Sequence, residues 1–307
     1  MNPIFSCRHI TQEFEHFKLA DITFALEAGC ILGVIGRNGS GKTTLLRTLM
    51  GMQSTQGDAK ILGYSLQKDE KEYKKRIAYV LNESPFRMNV NALTNGRLFG
   101  RYYDSFDLER YKELLERYEI LLEHSEKLQS VRQGKKNIQA LNRLSQGQQI
   151  QQQLAFALSY DASVYFMDEP TGNLDVEFRD TFYEEIRKLV SDERKSVIYA
   201  SHLIEEMEYF ADYILWLREQ NGISQIYFYG TVDELRDRYR IIEAEDEVLR
   251  GIPSERILGG RKETNHNEWL IDVEQYELPA SIRECVRYPE LKEIMYYVEK
   301  GEVIENV

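Results

Sequence analysis

Short apolar runs alternate with segments of helical periodicity through most of the chain, and this alternation predicts the main elements of the fold. Apolar runs of strand length occupy Ile4–Ile10, Leu19–Leu26, Cys30–Ile35, Ile77–Leu81, Val164–Met167 and Ser196–Ala200. Helices are predicted over about Lys42–Met50, Asp107–Glu123, Ser145 through Leu158, and Val176–Val190. Buried strands that alternate with amphipathic helices indicate a mostly parallel sheet with helices on both faces. We therefore predict an α/β fold for about residues 1–235.

The pattern changes near Tyr239, and residues 240–307 are predicted to form a small α+β appendage. Ile257–Gly260 and Trp269–Val273 are predicted to pair as a hairpin around the polar loop Arg261–Glu268. A final helix is predicted from apolar residues at positions i, i+3, i+4 and i+7, which are Leu291, Ile294, Met295 and Val298. That apolar stripe must be buried against a neighbouring surface.

Charge and composition narrow the classes of protein to which the chain can belong. The 307 residues carry a net charge of −12, which argues against broad binding of nucleic acid. No apolar run approaches the length of about 18–20 residues that spans a bilayer, and Met1–Ile10 lacks the apolar core of a secretory signal. A disulfide framework or zinc site is not expected from three widely spaced cysteines, Cys7, Cys30 and Cys285. We expect a soluble cytoplasmic protein that reaches a membrane only through a partner.

A phosphate-binding loop is predicted between the third apolar run and the helix that follows it. Gly36–Thr43 reads GRNGSGKT and fits the pattern GxxxxGK[ST], in which glycines let backbone N–H groups surround phosphate oxygens. Lys42 is predicted to neutralise the β- and γ-phosphates, and the Thr43 hydroxyl to ligate Mg²⁺. The predicted nucleotide-binding residues of this segment are Arg37, Asn38, Gly39, Ser40, Gly41, Lys42, Thr43 and Thr44.

Two further motifs complete the predicted site. Val164–Glu169 is an apolar strand that ends in two carboxylates, of which Asp168 is expected near Mg²⁺ and Glu169 near the γ-phosphate, where a base for water is needed. Leu144–Gln148 opens a helix 23 residues before Asp168, and Ser145 with the N–H groups of that helix start is predicted to form an anion site.

Taken together, these motifs resemble the nucleotide-binding subunit of an ABC transporter over about residues 1–235. The matches are Gly36–Thr43 to Walker A, Leu144–Gln148 to the LSGGQ signature, Val164–Glu169 to Walker B, Asn173–Asp175 to the D-loop and His202 to the switch histidine. The resemblance implies a mostly parallel sheet core with an antiparallel β part. It also implies a helical subdomain at about 84–160, which would contain Tyr102 and Tyr103.

The resemblance also assigns roles in a dimer. Two such domains would meet head to tail, with each ATP between the P-loop of one and the signature of the other, where Ser145, Gly147, Gln148 and the D-loop residue Asp175 are expected. His202 would hydrogen-bond the γ-phosphate and fix the attacking water. Glu169 would act as general base or polarise that water, and Lys42 would complete the catalytic set.

The resemblance also implies that an aromatic side chain about two dozen residues before the P-loop stacks on adenine. Phe14 lies 22 residues before Gly36 and fits this expectation, and Phe17 is its competitor. Stacking on such a ring gives little base specificity.

Two positions depart from the pattern of the family. Gln146 stands where the signature usually has its first glycine, whereas Gly147 retains the second. After Ile77–Leu81 the family has glutamine, but this chain has Asn82 and then Glu83. Because asparagine is one methylene shorter, either Asn82 reaches Mg²⁺ through a water or Glu83 takes part, and we favour the first.

The resemblance implies an ATPase that uses ATP and Mg²⁺ and drives a separate membrane permease from the inner face of the cell membrane. The segment after Tyr239 resembles tails of bacterial exporters of antibiotics, bacteriocins or peptides, so export is expected. Its partners would be a second, identical or homologous ATPase subunit and the permease, with no nucleic acid. The alternative is a non-transport ABC ATPase that acts on ribosomes or DNA. The single nucleotide-binding domain and the mere 126 residues from Lys42 to Asp168 oppose that alternative.

Overall fold

The computed structural model describes residues 3–120, 139–245, 248–262, 267–279, 282, 285–300 and 303–305. Its strands are β1 (Phe5–Glu13), β2 (Lys18–Leu26), β3 (Ile31–Ile35), β4 (Gln56–Ile61), β5 (Tyr64–Ser65), β6 (Ile77–Leu81), β7 (Val164–Asp168), β8 (Ser196–Ala200), β9 (Tyr213–Gln220), β10 (Ile223–Thr231), β11 (Tyr239–Glu243), β12 (Ile257–Lys262), β13 (Asn267–Asp272), β14 (Val286–Arg287) and β15 (Val303–Glu305). Its α-helices are α1 (Lys42–Leu49), α2 (Glu70–Lys74), α3 (Ala92–Gly100), α4 (Leu108–Arg117), α5 (Gln146–Ala157), α6 (Val176–Val190), α7 (Ile204–Phe210), α8 (Val232–Asp237) and α9 (Leu291–Lys300). Within these ranges, no helix combines the length and apolar character needed to cross a membrane.

The described residues divide into two compact units. The first comprises those of Met1–His202 and Leu217–Ile226, and the second those of Leu203–Trp216 and Tyr227–Val307. The domain division expected from the sequence, 1–235 and 240–307, stays a prediction.

A large mixed sheet forms the framework that positions the predicted site. Its strand order is β5-β4-β1-β2-β10-β9-β3-β8-β7-β6. The four strands β3, β8, β7 and β6 are parallel neighbours, and every residue of the first three is buried. Such strands read as continuous apolar runs because both faces of the sheet are covered. β1 pairs antiparallel with β2 and β4, which supplies the expected antiparallel part.

Parallel strands place their carboxyl ends at one edge of a sheet, and ligands of open α/β sheets bind there. The loops that follow β3, β6, β7 and β8 therefore converge. They carry the P-loop, Asn82, Glu169 and His202, respectively. The predicted α/β fold is confirmed in this arrangement.

The helical part of the first unit packs through aromatic side chains around Phe156 on α5. Rings from α3, α4 and the segments beside them contact one another at centroid distances of 4.0–6.0 Å: Phe86, Phe99, Tyr103, Phe106, Tyr111 and Tyr160. Tyr102, by contrast, is exposed.

One helix is shorter than its pattern predicts. Asp107 caps α4 as expected, because its carboxylate accepts hydrogen bonds from the N–H groups of Glu109 and Arg110. The helix ends at Arg117 rather than Glu123, and Glu119 has a left-handed backbone with φ of 58°. That conformation terminates a helix, so the prediction was wrong for residues 118–120; residues 121–123 lie outside the described ranges.

The second unit contains a five-stranded sheet in the order β14-β11-β13-β12-β15. The predicted hairpin is confirmed, since β12 and β13 pair antiparallel with Gly260 opposite Trp269. A Cβ atom on Gly260 would lie 2.2 Å from the Trp269 ring, so this position requires glycine. The four residues of the apolar stripe predicted on α9 are all buried.

Candidate functional site

The loop between β3 and α1 has a backbone that glycine alone adopts without strain. Gly36, Gly39 and Gly41 have φ values of 148°, 87° and 90°. A Cβ atom on Gly36 would lie 2.4 Å from the carbonyl oxygen of Leu217, and one on Gly41 would lie 2.5 Å from Cζ of Phe17. Conformation and close packing therefore both account for the glycines of the motif.

The other residues of the loop offer polar groups to a ligand. Arg37, Asn38 and Gly39 are exposed at the tip, and Thr44 is half-buried in the first turn of α1. The Ser40 hydroxyl is buried and has no hydrogen-bond partner in the part of the chain that the structure describes. A buried hydroxyl without a partner costs free energy, so a phosphate oxygen at this loop would satisfy it.

Lys42 begins α1 and is 7% exposed. Its ammonium group donates hydrogen bonds to the carbonyl oxygens of Gly36, at 2.8 Å, and Arg37, at 3.3 Å. Burial lowers the pKa of Lys42 below its ordinary value, and the nearby charges of Glu169 and Asp168 oppose that shift. A phosphate would add negatively charged hydrogen-bond acceptors beside this buried ammonium group.

Thr43 and Asp168 join the two predicted metal-ligating elements. The Thr43 hydroxyl donates to Oδ1 of Asp168 at 3.1 Å. Burial raises the pKa of Asp168; the Thr43 hydrogen bond opposes that rise, whereas the charge of Glu169 adds to it. Mg²⁺ is bound by hard oxygen ligands, commonly one or two carboxylates together with substrate phosphates. A hydroxyl and a carboxylate beside the P-loop fit that preference.

Glu169 follows β7 with a left-handed backbone, at φ of 51°. For a residue other than glycine this conformation costs on the order of 1–3 kcal/mol and is found at functional sites. The N–H of Glu169 donates to the Ala200 carbonyl at 2.9 Å, which fixes the residue beside the end of β8. Its Oε2 accepts the backbone N–H of His202 at 3.2 Å and also contacts Nδ1 of that ring. The structure therefore brings the predicted base and the predicted switch histidine together.

The predicted signature residues begin helix α5. Oγ of Ser145 accepts from the N–H of Gln148 at 3.1 Å, and the Gln148 side chain accepts from the N–H of Ser145 at 3.0 Å. This reciprocal pair is a capping box, which fixes the helix start. A Cβ atom on Gly147 would lie 2.7 Å from the Asn173 carbonyl oxygen, so the retained glycine allows the D-loop to approach.

Asn82 lies in a contact that the sequence does not predict. Its Oδ1 accepts hydrogen bonds from Nε2 of Gln146, at 2.8 Å, and from Nδ2 of Asn173, at 3.3 Å. Among the described hydrogen bonds, none joins Asn82 to Thr43 or Asp168. The metal-binding role expected for Asn82 stays a prediction.

Three other candidate residues occupy separate positions. Glu83 is exposed and lies 3.5 Å from the guanidinium group of Arg47. Asp175 caps α6, because its Oδ1 accepts from the N–H of Phe178 at 2.8 Å. Phe14 is 42% exposed at the end of β1, which leaves a ring face available for stacking.

The competitor of Phe14 has a different position. The Phe17 ring packs over Gly41, and its centroid is 6.1 Å from that of Phe14. Both rings therefore lie on the same turn between β1 and β2, with Phe17 against the P-loop and Phe14 more open. The adenine-binding role of Phe14 stays a prediction.

Sequence reasoning missed Gln153 on α5. The Gln153 amide donates to the Leu81 carbonyl oxygen and accepts from the Leu81 N–H, both at 2.9 Å. One signal was available, since Gln153 lies with Ile150, Leu154 and Ala157 on the buried face of the helix. A glutamine on such a face needs a hydrogen-bonding partner.

The comparisons with known proteins agree with this geometry. Residues 19–172, half of the chain, match the family described as ABC transporter. The chain therefore belongs to the ABC transporter family, as an ATP-binding subunit that hydrolyses ATP.

Several named relatives show how far the similarity extends. The ABC transporter ATP-binding protein NatA of Bacillus subtilis (strain 168) is 28% identical over 76% of this chain and 91% of its own length. The bacitracin transport ATP-binding protein BcrA of Bacillus licheniformis is 26% identical over 78% of this chain and 74% of its own. The ribose import ATP-binding protein RbsA of Caldanaerobacter subterraneus is 27% identical over 99% of this chain and 57% of its own.

Solved structures share the fold at low sequence identity. An ATP-binding subunit of an ABC transporter superposes with a TM-score of 0.63 at 19% identity, over 76% of this chain and 92% of the other. A dimeric ATP-binding cassette, in a post-hydrolysis state bound to ADP and Pi, superposes with a TM-score of 0.60 at 20% identity, over 74% and 98%. These likenesses support the fold.

Proposed function

We propose that this protein dimerises around two ATP molecules and powers a separate membrane permease that exports peptide-like or antibiotic-like cargo. One observation supports the proposed site of ATP binding and hydrolysis. Lys42, the Thr43–Asp168 pair and the Glu169–His202 pair stand at the same edge of the parallel sheet. That edge is where open α/β sheets bind nucleotides.

Each residue of the P-loop side has a task that its surroundings support. The buried ammonium group of Lys42 exchanges its loop carbonyl partners for the β- and γ-phosphates. The Ser40 hydroxyl and the N–H groups of the loop bind further phosphate oxygens. Thr43 and Asp168 would hold Mg²⁺, which supplies positive charge to the phosphates when bound.

Glu169 and His202 act on the water side of the γ-phosphate. The Glu169 carboxylate accepts a proton from the attacking water or polarises it. The hydrogen bond from the Glu169 N–H to the Ala200 carbonyl holds the residue at the end of β8. The His202 ring donates a hydrogen bond to the γ-phosphate. The backbone N–H of His202 keeps the Glu169 carboxylate oriented. Phe14 stacks on the adenine ring.

The head-to-tail dimer is supported by the position of the signature residues. Ser145, Gly147 and Gln148 lie at the start of α5, where the Ser145–Gln148 capping box fixes the first turn of the helix. The start of α5 presents N–H groups and a positive dipole end that suit a phosphate. A second subunit, identical or homologous, would place its own signature over the ATP bound here.

The permease and the direction of transport are the finer parts of the proposal. The subunit would bind its permease at the inner face of the cell membrane. Export is supported by the likeness to a protein named for bacitracin transport and by the tail after Tyr239. A relative named for ribose import favours the opposite direction, so the experiment must distinguish the two.

The test uses a strain that lacks this gene, complemented with wild type, Glu169→Gln or the matched surface variant Glu193→Gln. We expect the deletion strain to be more sensitive to membrane-active peptide antibiotics, with resistance restored by wild type and Glu193→Gln but not by Glu169→Gln. Unchanged sensitivity to every peptide, with impaired uptake of a sugar or metal ion, would contradict export. Co-sedimentation of the wild-type protein with ribosomes rather than membranes would favour the non-transport alternative.

A further inference from the structure

The two positions that depart from the family pattern contact each other. Asn82 replaces the expected glutamine and Gln146 replaces the expected glycine, and Nε2 of Gln146 donates to Oδ1 of Asn82 at 2.8 Å. A second donor, Nδ2 of Asn173, reaches the same oxygen at 3.3 Å. Three loops of one subunit therefore meet at a single amide oxygen: the loop after β6, the signature and the D-loop.

The same helix is attached to the same loop at a second point. Gln153 lies seven residues, or two helical turns, after Gln146 and therefore on the same face of α5. Its amide forms two hydrogen bonds with the backbone of Leu81, the residue before Asn82. Gln153 is buried, so its attachment to Leu81 is structural. Gln146 is exposed, so its hydrogen bond to Asn82 can open to solvent.

We propose that Asn82 and Gln146 are a matched pair of positioning residues, which attach the loop after β6 to the start of the signature helix. The pair acts through Ser145, which directly precedes Gln146 and caps α5. The position of Ser145 over the ATP of the partner subunit then depends on where α5 begins. A displacement of the Asn82 loop is thereby transmitted to the signature. The inference rests on the proposed function, since it assigns these residues to the dimeric catalytic site.

The test is a double-mutant cycle on the full-length chain with Asn82→Ala, Gln146→Ala and the two together. Steady-state ATPase activity gives kcat and KM for ATP, and a titration gives the Mg²⁺ concentration for half-maximal rate. We expect each single variant to lower kcat about 3- to 10-fold, the range for loss of one net hydrogen bond. KM and the Mg²⁺ requirement should stay within about twofold, and the double variant should be no slower than the slower single variant, because both changes remove one interaction.

Two further variants separate positioning from mere loss of structure. Asn82→Asp keeps an acceptor oxygen at the same place and should retain nearly the wild-type kcat. Gln151→Ala is the matched control, because this glutamine of α5 makes no side-chain hydrogen bond within the described residues, and its kcat should equal that of wild type. Thermal unfolding midpoints should be unchanged in all variants, since the pair is exposed.

Three results would overturn the inference. If the two single effects multiply in the double variant, or if neither single variant changes kcat, the pair does not position the signature. If Asn82→Ala raises the Mg²⁺ requirement several-fold while Gln146→Ala does not, Asn82 acts on the metal and the inference is overturned. In each case wild-type ATP hydrolysis continues, so failure of the pair is distinguishable from failure of the proposed ATPase function.

Discussion

At the scale of single residues, the site contains charged and polar groups whose environment is incomplete without a ligand. Within the described residues, the buried ammonium group of Lys42 donates hydrogen bonds to the carbonyl oxygens of Gly36 and Arg37. Burial lowers the pKa of Lys42, and the nearby charges of Glu169 and Asp168 oppose that shift. We expect phosphate oxygens to be stronger hydrogen-bond acceptors for this ammonium group than neutral carbonyl oxygens.

The first prediction follows from that charge. Lys42→Ala removes the cation proposed to face the β- and γ-phosphates and should weaken binding of MgATP at least about tenfold, or about 1.4 kcal/mol. Isothermal titration calorimetry measures the change. Lys60→Ala, at an exposed position of β4, is the control and should bind like wild type. Equal affinities for the two variants would remove Lys42 from the nucleotide site.

The second prediction concerns the reactivity of the cysteines. Burial raises the pKa of Cys7 to about 12, against a weaker lowering by a backbone hydrogen bond from Phe24. At pH 8 its thiolate fraction is then more than about a thousandfold below that of an unperturbed thiol. Because the thiolate is the nucleophile, native protein should react with a disulfide reagent at the exposed Cys285 and not at Cys7.

Mass spectrometry of the labelled peptides identifies the sites, and Cys285→Ser should remove the fast phase. Unfolding in denaturant should make all three thiols reactive. Rapid labelling of Cys7 in the native protein at pH 8 would contradict its burial.

At the scale of elements, the edge strand β6 depends on a side chain of α5. β6 is the last strand of the described sheet, so the N–H and C=O of Leu81 on its outer side have no strand to pair with. The Gln153 amide supplies one acceptor and one donor and serves in place of that strand. Edge strands commonly need such protection.

The third prediction tests this attachment. Gln153→Leu keeps the size and burial of the side chain but leaves two backbone groups of Leu81 without partners. Each buried unsatisfied group costs about 1–3 kcal/mol, so we expect the free energy of unfolding to fall by about 2–6 kcal/mol. Urea denaturation followed by circular dichroism measures it. Gln151→Leu on the same helix should change stability by less than about 0.5 kcal/mol.

Equal unfolding midpoints for Gln153→Leu and Gln151→Leu would show that Gln153 is not an anchor. A large loss in Gln153→Leu alone would support its place beneath the Asn82 loop. The measurement needs no ATP, so it is independent of the catalytic proposals.

The accuracy with which the sequence predicts a helix or strand depends on which interactions stabilise that element. β3 and β7 are continuous apolar runs because both faces are buried, and such runs are visible in the sequence. The predicted end of α4 was wrong. The apolar spacing continues past Arg117, whereas the backbone becomes left-handed at Glu119.

The candidate site divides in the same way. Walker motifs are contiguous in sequence, so Lys42, Thr43, Asp168 and Glu169 could be proposed directly. The contact between Asn82 and Gln146 joins residues 64 positions apart and depends on β6 lying at the sheet edge beside α5. Periodicity fixes neither strand order nor which polar side chains meet.

At the scale of the whole molecule, the described residues form two compact units. The first holds the predicted nucleotide site. The second has its own sheet and its own apolar cluster, whose buried members are Ile242, Leu249, Ile252, Trp269, Ile271 and Ile282. Arg287 stabilises this unit through hydrogen bonds to carboxylates on three of its segments, Glu243, Glu268 and Glu293.

In the proposed cycle, ATP holds two copies of the first unit together until Glu169 allows hydrolysis. Glu169→Gln preserves the shape of the side chain and removes its basic oxygen, so ATP should bind but not turn over. A complex that is not hydrolysed should accumulate as a dimer, whereas wild type should return to monomer as ATP is consumed. Glu193→Gln, an exposed carboxylate between α6 and β8, should behave as wild type.

Size-exclusion chromatography with light scattering, on Glu169→Gln with and without MgATP, tests this claim most directly. We predict the monomer mass of 36.1 kDa without nucleotide and twice that mass with MgATP, together with ATPase activity at least about a hundredfold below wild type. A variant that binds ATP yet stays monomeric at every protein concentration would contradict dimerisation of identical copies around ATP. A variant that hydrolyses ATP at the wild-type rate would contradict the role of Glu169 as base.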